Sequence, residues 1–444
     1  MRRFTLRLQQ LFLLAAAVML TFSACTKENV AAIVVPVISS PGLKDGKDTI
    51  AVGDTRVLRP QLTDASNPTF LWLVNGAPSG SDSTFTFTPT TSGDYTISLK
   101  ISSGNSFTSF FYRIKVTDKY DNGFFIVNEG WFGHGPGDVN FYRYGDDTVY
   151  QNIFQRENPG KTLGTTTEFG AIYNNRIYLL SKQGPMVIAD AHNMKEIGRI
   201  AQLPADGRAF CGINPNLGLI STVNGIYQLN LQTLTVGAKI AGIDGQVGTM
   251  LKEGNYVFVM SQNNGIVVLN ASDFSIVSTL VKADIGLART PDGTIWAGAG
   301  QQLFAINPAT LTVTNINVPF TLNGAWGAWN ATMISASSIE NAVFIAKINA
   351  WGAGGREIYK YQTGNPSSLQ TPFVTLPANR ELIGAGFRYN PNNNTLVATA
   401  VEPGYGDHYK QNTLFIYDAT SAATIKSIPY EGFFFPAIPV FNKQ

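Results

Sequence analysis

The chain has 444 residues, a formal net charge of +2, 14% charged residues, 11% aromatic residues and 43 glycines. So small a net charge gives no sign of nucleic-acid binding. Few charges with many turn-formers and aromatics point to an all-β protein, and the length to two domains or one large repeat body.

The chain opens Met1-Arg2-Arg3, with Arg7 and then an apolar run over 11–22, and reaches Phe22-Ser23-Ala24-Cys25. Basic, apolar and small residues in that order predict a signal peptide over 1–24. The apolar run is too short for a membrane span, which needs roughly 20 residues. The small residues before Cys25 resemble a bacterial lipobox, with Phe22 where Leu is usual, and imply lipidation of Cys25. Residues 25–41, with Pro36 and Ser39-Ser40-Pro41, read as a tether. The expected location is the outer membrane, lipid-anchored and exposed at the cell surface, with Lys27-Glu28 as a surface-export cue. Lipidation leaves Cys211 as the other thiol, without an internal disulfide partner. Its neighbours Phe210, Gly212 and Ile213 make it a buried small hydrophobe.

Residues 42–118 carry short alternating runs: 70–74, 85–88, 95–99 and 111–116, separated by turn residues such as Asn75-Gly76 and Ser92-Gly93-Asp94. Trp72 on a middle strand and Gly93-Asp94-Tyr95 opening a later one resemble the PKD family of immunoglobulin-like sandwiches. The fuller Trp-x-Phe-Gly-Asp-Gly signature is absent. The resemblance implies a spacer, with no site assigned to it.

Residues 121–444 repeat one phrase, an apolar strand, a tight turn and a second apolar strand, at 171–180, 212–220, 250–259, 287–296 and 387–397. A third strand follows and ends in Asp190, Asn230, Asn270, Asn307 or Asp418, and a more polar fourth strand closes each unit. Four short strands per unit are the propeller signature. Complete units start near 168, 209, 246, 284, 331 and 384, while 121–154 supplies three strands, including 149–153. The C-terminal run 437–441 is expected to supply the missing innermost strand. The predicted fold is all-β: an immunoglobulin-like sandwich followed by a seven-bladed β-propeller closed by its C-terminal strand. Eight blades follow instead if 331–382 hides a further unit.

In such a ring the connections between first and second strands, and third and fourth, share one face, and all are expected to be short. The long connections share the other face: 130–137, 155–168, 323–329, 349–356, 402–410 and 430–434. They hold Trp131, Phe132, His134, Trp326, Trp329, Trp351, Arg356, Tyr405, His408 and Tyr409, the candidate ligand-binding residues. Long loops on a rigid scaffold carry function, and aromatics spaced by Gly can stack on a flat or ringed ligand. The cluster falls on the sixth, seventh and first blades.

Catalysis has less support. His192 reads as a solvated turn residue. His134 and His408, with Asp407, fall short of a metal-ligand set. No nucleophile elbow, phosphate loop or calcium loop is present, and no acid–base pair is evident for the central funnel. A binding protein without cofactor, catalytic residue or metal is expected.

Asn128-Glu129-Gly130-Trp131-Phe132-Gly133-His134, followed by Gly137-Asp138-Val139-Asn140-Phe141, resembles the opening blade of the YncE-like, YVTN-type seven-bladed propellers found as surface lipoproteins, the BtuG group among them. That resemblance implies a corrinoid (vitamin B12) ligand, passed to a TonB-dependent transporter of the BtuB type. Trp and Tyr would contact the ring, and Asn323, Arg356 and Arg380 the amides and phosphate. The alternative is a surface glycan-binding protein of a polysaccharide-uptake system.

Overall fold

Each repeated phrase folds into a hairpin. Asn174 and Asn175 join Thr167–Tyr173 to Arg176–Ser181, and their φ values are 49° and 59°. A two-residue type I′ turn needs left-handed backbone at both positions, which Asn tolerates better than most residues. The computed structural model describes residues 35–326, 331–348, 355–404 and 406–442. Cys25 and the expected signal peptide, and the candidate residues Trp329, Trp351 and Tyr405, lie outside the described residues. The chain divides into two units that meet at Val116 and Thr117.

The first unit holds a five-stranded sheet in the order Lys47–Ala51, Ser106–Thr117, Gly93–Ser103, Thr69–Val74 and Ala77–Gly80. Two small pairs accompany it, Val37–Ser40 with Gln61–Thr63 and Arg56–Leu58 with Phe85–Phe87. Ile97, Leu99 and Ile101 alternate into its core, as a strand's period of two requires. Trp72 is fully buried, stacks on Phe85 at 5.3 Å and donates its indole N–H to the Asp82 carbonyl at 2.8 Å.

The second unit is all-β and β-propeller-like: among the described residues, seven four-stranded antiparallel sheets follow one another along the chain. Six begin with Thr167–Tyr173, Gly207–Asn214, Val247–Glu253, Ala288–Arg289, Ile334–Ala336 and Glu381–Asn390. Residues 331–382 contribute one of these. The remaining sheet combines Gly123–Asn128, Asp138–Arg143 and Val149–Tyr150 with Pro436–Val440, which pairs Val440 with Phe125 and Ile438 with Val127.

The polar residue ending each third strand has a definite task. Carboxylate or amide oxygens of Asp190, Asn230, Asn307 and Asp418 accept backbone N–H groups two and three residues on. Four residues on, Met194, Leu234, Phe274, Leu311 and Ala422 adopt left-handed φ. That conformation costs roughly 1–2 kcal/mol for a residue with a Cβ. Burial of Met194 and Phe274 offsets it, at about 1.5–3 kcal/mol for such a side chain.

Two expectations are corrected. The strand over 149–153 stops at Tyr150, and a helix, Ile153–Glu157, follows where a loop was expected. Asp138 turns the chain: its carboxylate accepts the N–H groups of Phe154 at 3.0 Å and Gln155 at 3.4 Å. The face expected to carry only short turns also bears the longer connection 363–373, with a 3-10 turn at Pro366–Leu369. Leu369 is buried and pins that connection to the sheet.

Candidate functional site: an aromatic loop and a carboxyl pair

The connection 129–137 leaves the first sheet between Asn128 and Asp138. Its entry is tied to the C-terminal segment, where Glu129 and Gly130 donate N–H groups to the Phe435 and Phe434 carbonyls at 3.0 and 3.1 Å. Gly130 has φ 75°, and a Cβ there would lie 2.3 Å from the Pro136 carbonyl oxygen, so only glycine lets the loop fold back. The N–H groups of His134 and Gly135 both reach the Trp131 carbonyl. The fold places Trp131 between His134, stacked at 3.9 Å, and Phe433, stacked at 4.3 Å. Tyr409 lies 5.0 Å from Phe435, which itself tilts toward Trp131. Phe132 is 64% exposed. Beside this stack opens a cleft of about 630 Å³ lined by His134, Pro136, Leu163, Gly164 and Gly184 among others.

At the inner end of the same connection the chemistry changes. Glu129 and Glu168 repel one another in a desolvated setting. Burial first, and the Glu168 charge second, push the Glu129 carboxyl up to about 8 against the attraction of Lys182. Burial raises Glu168 to about 7, opposed by Lys182 and Arg208. Two such neighbours disfavour joint ionisation, which together with burial raises the Glu129 carboxyl above its ordinary range. Glu168 Oε1 lies 3.8 Å from Lys182 Nζ, and Oε2 is buried with no hydrogen-bond partner among the described residues. Arg208 is buried and donates to Gln246 Oε1 at 2.8 Å. Sequence reasoning did not find this carboxyl pair. Its signal was a charged residue heading an otherwise apolar innermost strand, Glu168 before Phe169 and Arg208 before Ala209.

The other candidates make contacts of their own. Trp326 is half-buried and packs on the cluster of Phe258, Met260 and Phe304. Arg356 donates to the Leu376 carbonyl at 2.8 Å and to that of Pro377 at 3.2 Å. His408 turns to Glu402, its Nδ1 3.4 Å from Oε1, while Asp407 pairs with Lys410 at 2.7 Å. His192 stands in its turn with the side chain part-exposed, and its Nδ1 sits 2.6 Å from Asp121, which raises its pKa. Among the described residues, Asp118, Asp121 and His192 alone bring three metal-capable side chains within reach of one point. Cys211 is part-buried against its cluster rather than fully enclosed, and burial pushes its thiol up to about 11, which leaves it unreactive.

A quinonprotein alcohol dehydrogenase-like protein from Bacteroides thetaiotaomicron superposes with a TM-score of 0.61, covering 92% of this chain and 99% of its own at 19% identity. At that identity the likeness is one of fold, and it supports a β-propeller-type architecture. The computationally designed Ika8 protein aligns over 70% of this chain and 88% of its own, with 12% identity and a TM-score of 0.43. No curated protein matches the sequence. The family model described as a domain of unknown function, DUF5074, matches residues 122–442. That span is well over half of the chain, and the chain belongs to the DUF5074 family.

Proposed function

We propose that this chain is a lipid-anchored cell-surface protein that captures a small ringed ligand, a corrinoid of the vitamin B12 type, for a TonB-dependent outer-membrane transporter. The observation that carries the reading is the Phe433–Trp131–His134 stack beside an open cleft. With both faces covered, Trp131 backs and orders the exposed His134, whose outer face would meet the ligand, so little side-chain entropy is lost on binding. Trp131, Phe132, His134, His408 and Tyr409 are the ligand-facing residues in this reading; Trp326 and Arg356 hold neighbouring loops. Binding by stacking and hydrogen bonds needs no cofactor and no catalytic group.

In the same reading the seven sheets are blades of one closed ring, sealed where Pro436–Val440 pairs with Gly123–Asn128. Closure removes the open sheet edge that would otherwise recruit other chains. The first unit is a PKD-type, immunoglobulin-like spacer, and lipidated Cys25 is the anchor. The resemblance to the BtuG group supplies the corrinoid, and the aromatic wall suits its broad ring.

Calorimetry of the full chain in mild detergent with cyanocobalamin tests the proposal. Heat of binding at micromolar ligand, lost in Trp131→Ala, is the expected result. No heat at micromolar ligand refutes it. A glycan array then decides for or against the surface-glycan alternative.

A further inference from the structure

We propose that Glu129, Glu168, Lys182 and Arg208 form a second binding site, for adjacent hydroxyl groups of a neutral saccharide. The site is built by a repeated device. Thr167 and Phe169 pair with the consecutive residues Ser181 and Leu180, so Glu168 is an extra residue in its strand. Gly207 and Ala209 pair with Thr222 and Ser221, and Arg208 is the extra residue there. Bulges of this kind re-aim a side chain, and here two successive sheets use the same position to place a charge. Arg208 extends the polar arc to Gln246, whose amide donates to Gln262 Oε1 at 3.3 Å.

Two features point to a ligand rather than to internal packing. Glu168 is 6% exposed, yet its Oε2 has no hydrogen-bond partner among the described residues. A buried carboxylate oxygen without a donor is costly, and a ligand O–H supplies one. Lys182 remains about one-third exposed while reaching toward Oε1, which gives the site a mouth.

The charges select the ligand class. A metal ion or an amine is opposed by Lys182 and Arg208. An anion is opposed by Glu168, Glu129 and nearby Asp206. A neutral group that both donates and accepts suits all of them. Two adjacent hydroxyls can donate to the Glu168 carboxylate and accept from Lys182 and from a protonated Glu129. This site is separate from the Trp131 stack and does not rest on the corrinoid reading.

Calorimetry of the full chain in a non-glycosidic detergent, with glucose, galactose, mannose, maltose and cellobiose, is the test. At least one saccharide is expected to bind. Glu168→Ala is expected to weaken it by about tenfold or more, the loss of a charge-assisted hydrogen bond. Glu129→Gln, which keeps a donor, is expected to retain binding. Lys182→Ala, at a part-exposed position, should weaken binding without unfolding and so stands in if Glu168→Ala fails to fold. Absence of heat with every saccharide overturns the proposal, and so does binding unchanged in both Glu168→Ala and Lys182→Ala.

Discussion

Glu129 and Trp131 stand two residues apart on one connection and meet opposite surroundings. Trp131 is layered between His134 and Phe433 and takes part of its surface to solvent. Glu129 faces a second carboxyl and is pressed toward its neutral form. The stack is held mainly by ring contact area. The carboxyl pair is held by electrostatics, which change with every proton. One short loop thus joins a rigid wall to a titrating group, and the two can be perturbed separately.

Both regions hang on the C-terminal segment, so removing it has the largest expected effect. Residues 436–442 supply the fourth strand of the first sheet, and the carbonyls of Phe434 and Phe435 hold the loop entry. Deleting 436–442 exposes Phe125 and Val127, both fully buried, and leaves one edge of Gly123–Asn128 unpaired. Cooperative thermal unfolding of the second unit is expected to be lost or its Tm lowered by roughly 10 °C or more. A near-normal melting curve by circular dichroism would show that the strand is dispensable and that the two regions do not share a foundation.

The carboxyl pair comes next and separates from the stack by pH. An acid whose folded pKa lies above its ordinary value binds its proton more tightly when folded. Stability contributed by that proton is present below about 4.5, the ordinary glutamate value, and is lost as pH rises through about 8, the folded value of Glu129. Glu129→Gln removes the titration. Its Tm is expected to match the parent near about pH 5 and exceed it by roughly a few °C near about pH 9. Equal Tm values at both pH values would show that the pair carries no shared proton. Trp131→Ala, in contrast, acts through lost ring contact and should lower Tm by roughly a few °C. Its larger consequence is for cyanocobalamin, whose affinity should fall about tenfold to a hundredfold.

The uneven legibility of the sequence follows the same division. Hairpin turns are local: Asn174-Asn175 and the Asp or Asn ending each third strand act on backbone a few residues away, so the repeat could be read directly. The Trp131 loop was readable because Gly and aromatic residues stand together in sequence. The carboxyl pair was not, because Glu129 and Glu168 are far apart in the chain and meet only when two sheets pack. The helix Ile153–Glu157 was missed for a like reason, since its first turn is fixed by Asp138 from an earlier strand. Arg356 and Trp326 stand in Gly-rich loops as Trp131 does, and no local pattern distinguishes a residue that braces a loop from one that faces outward.

Arg356 gives the smallest expected effect and the sharpest test of that distinction. Its guanidinium bonds the carbonyls of Leu376 and Pro377, and the Leu376 N–H returns to the Arg356 carbonyl at 2.8 Å. The fork thus ties the strand beginning at Glu357 to the connection that leads into Glu381–Asn390. Lysine keeps the charge but loses the planar fork that satisfies two carbonyls at once. Arg356→Lys is expected to cost about 1 kcal/mol of stability and to change cyanocobalamin affinity by less than about twofold. Thermal unfolding and calorimetry on the same preparation measure both. A preserved Tm with a large loss of affinity would move Arg356 from brace to ligand contact and would extend the binding surface well beyond the Trp131 stack.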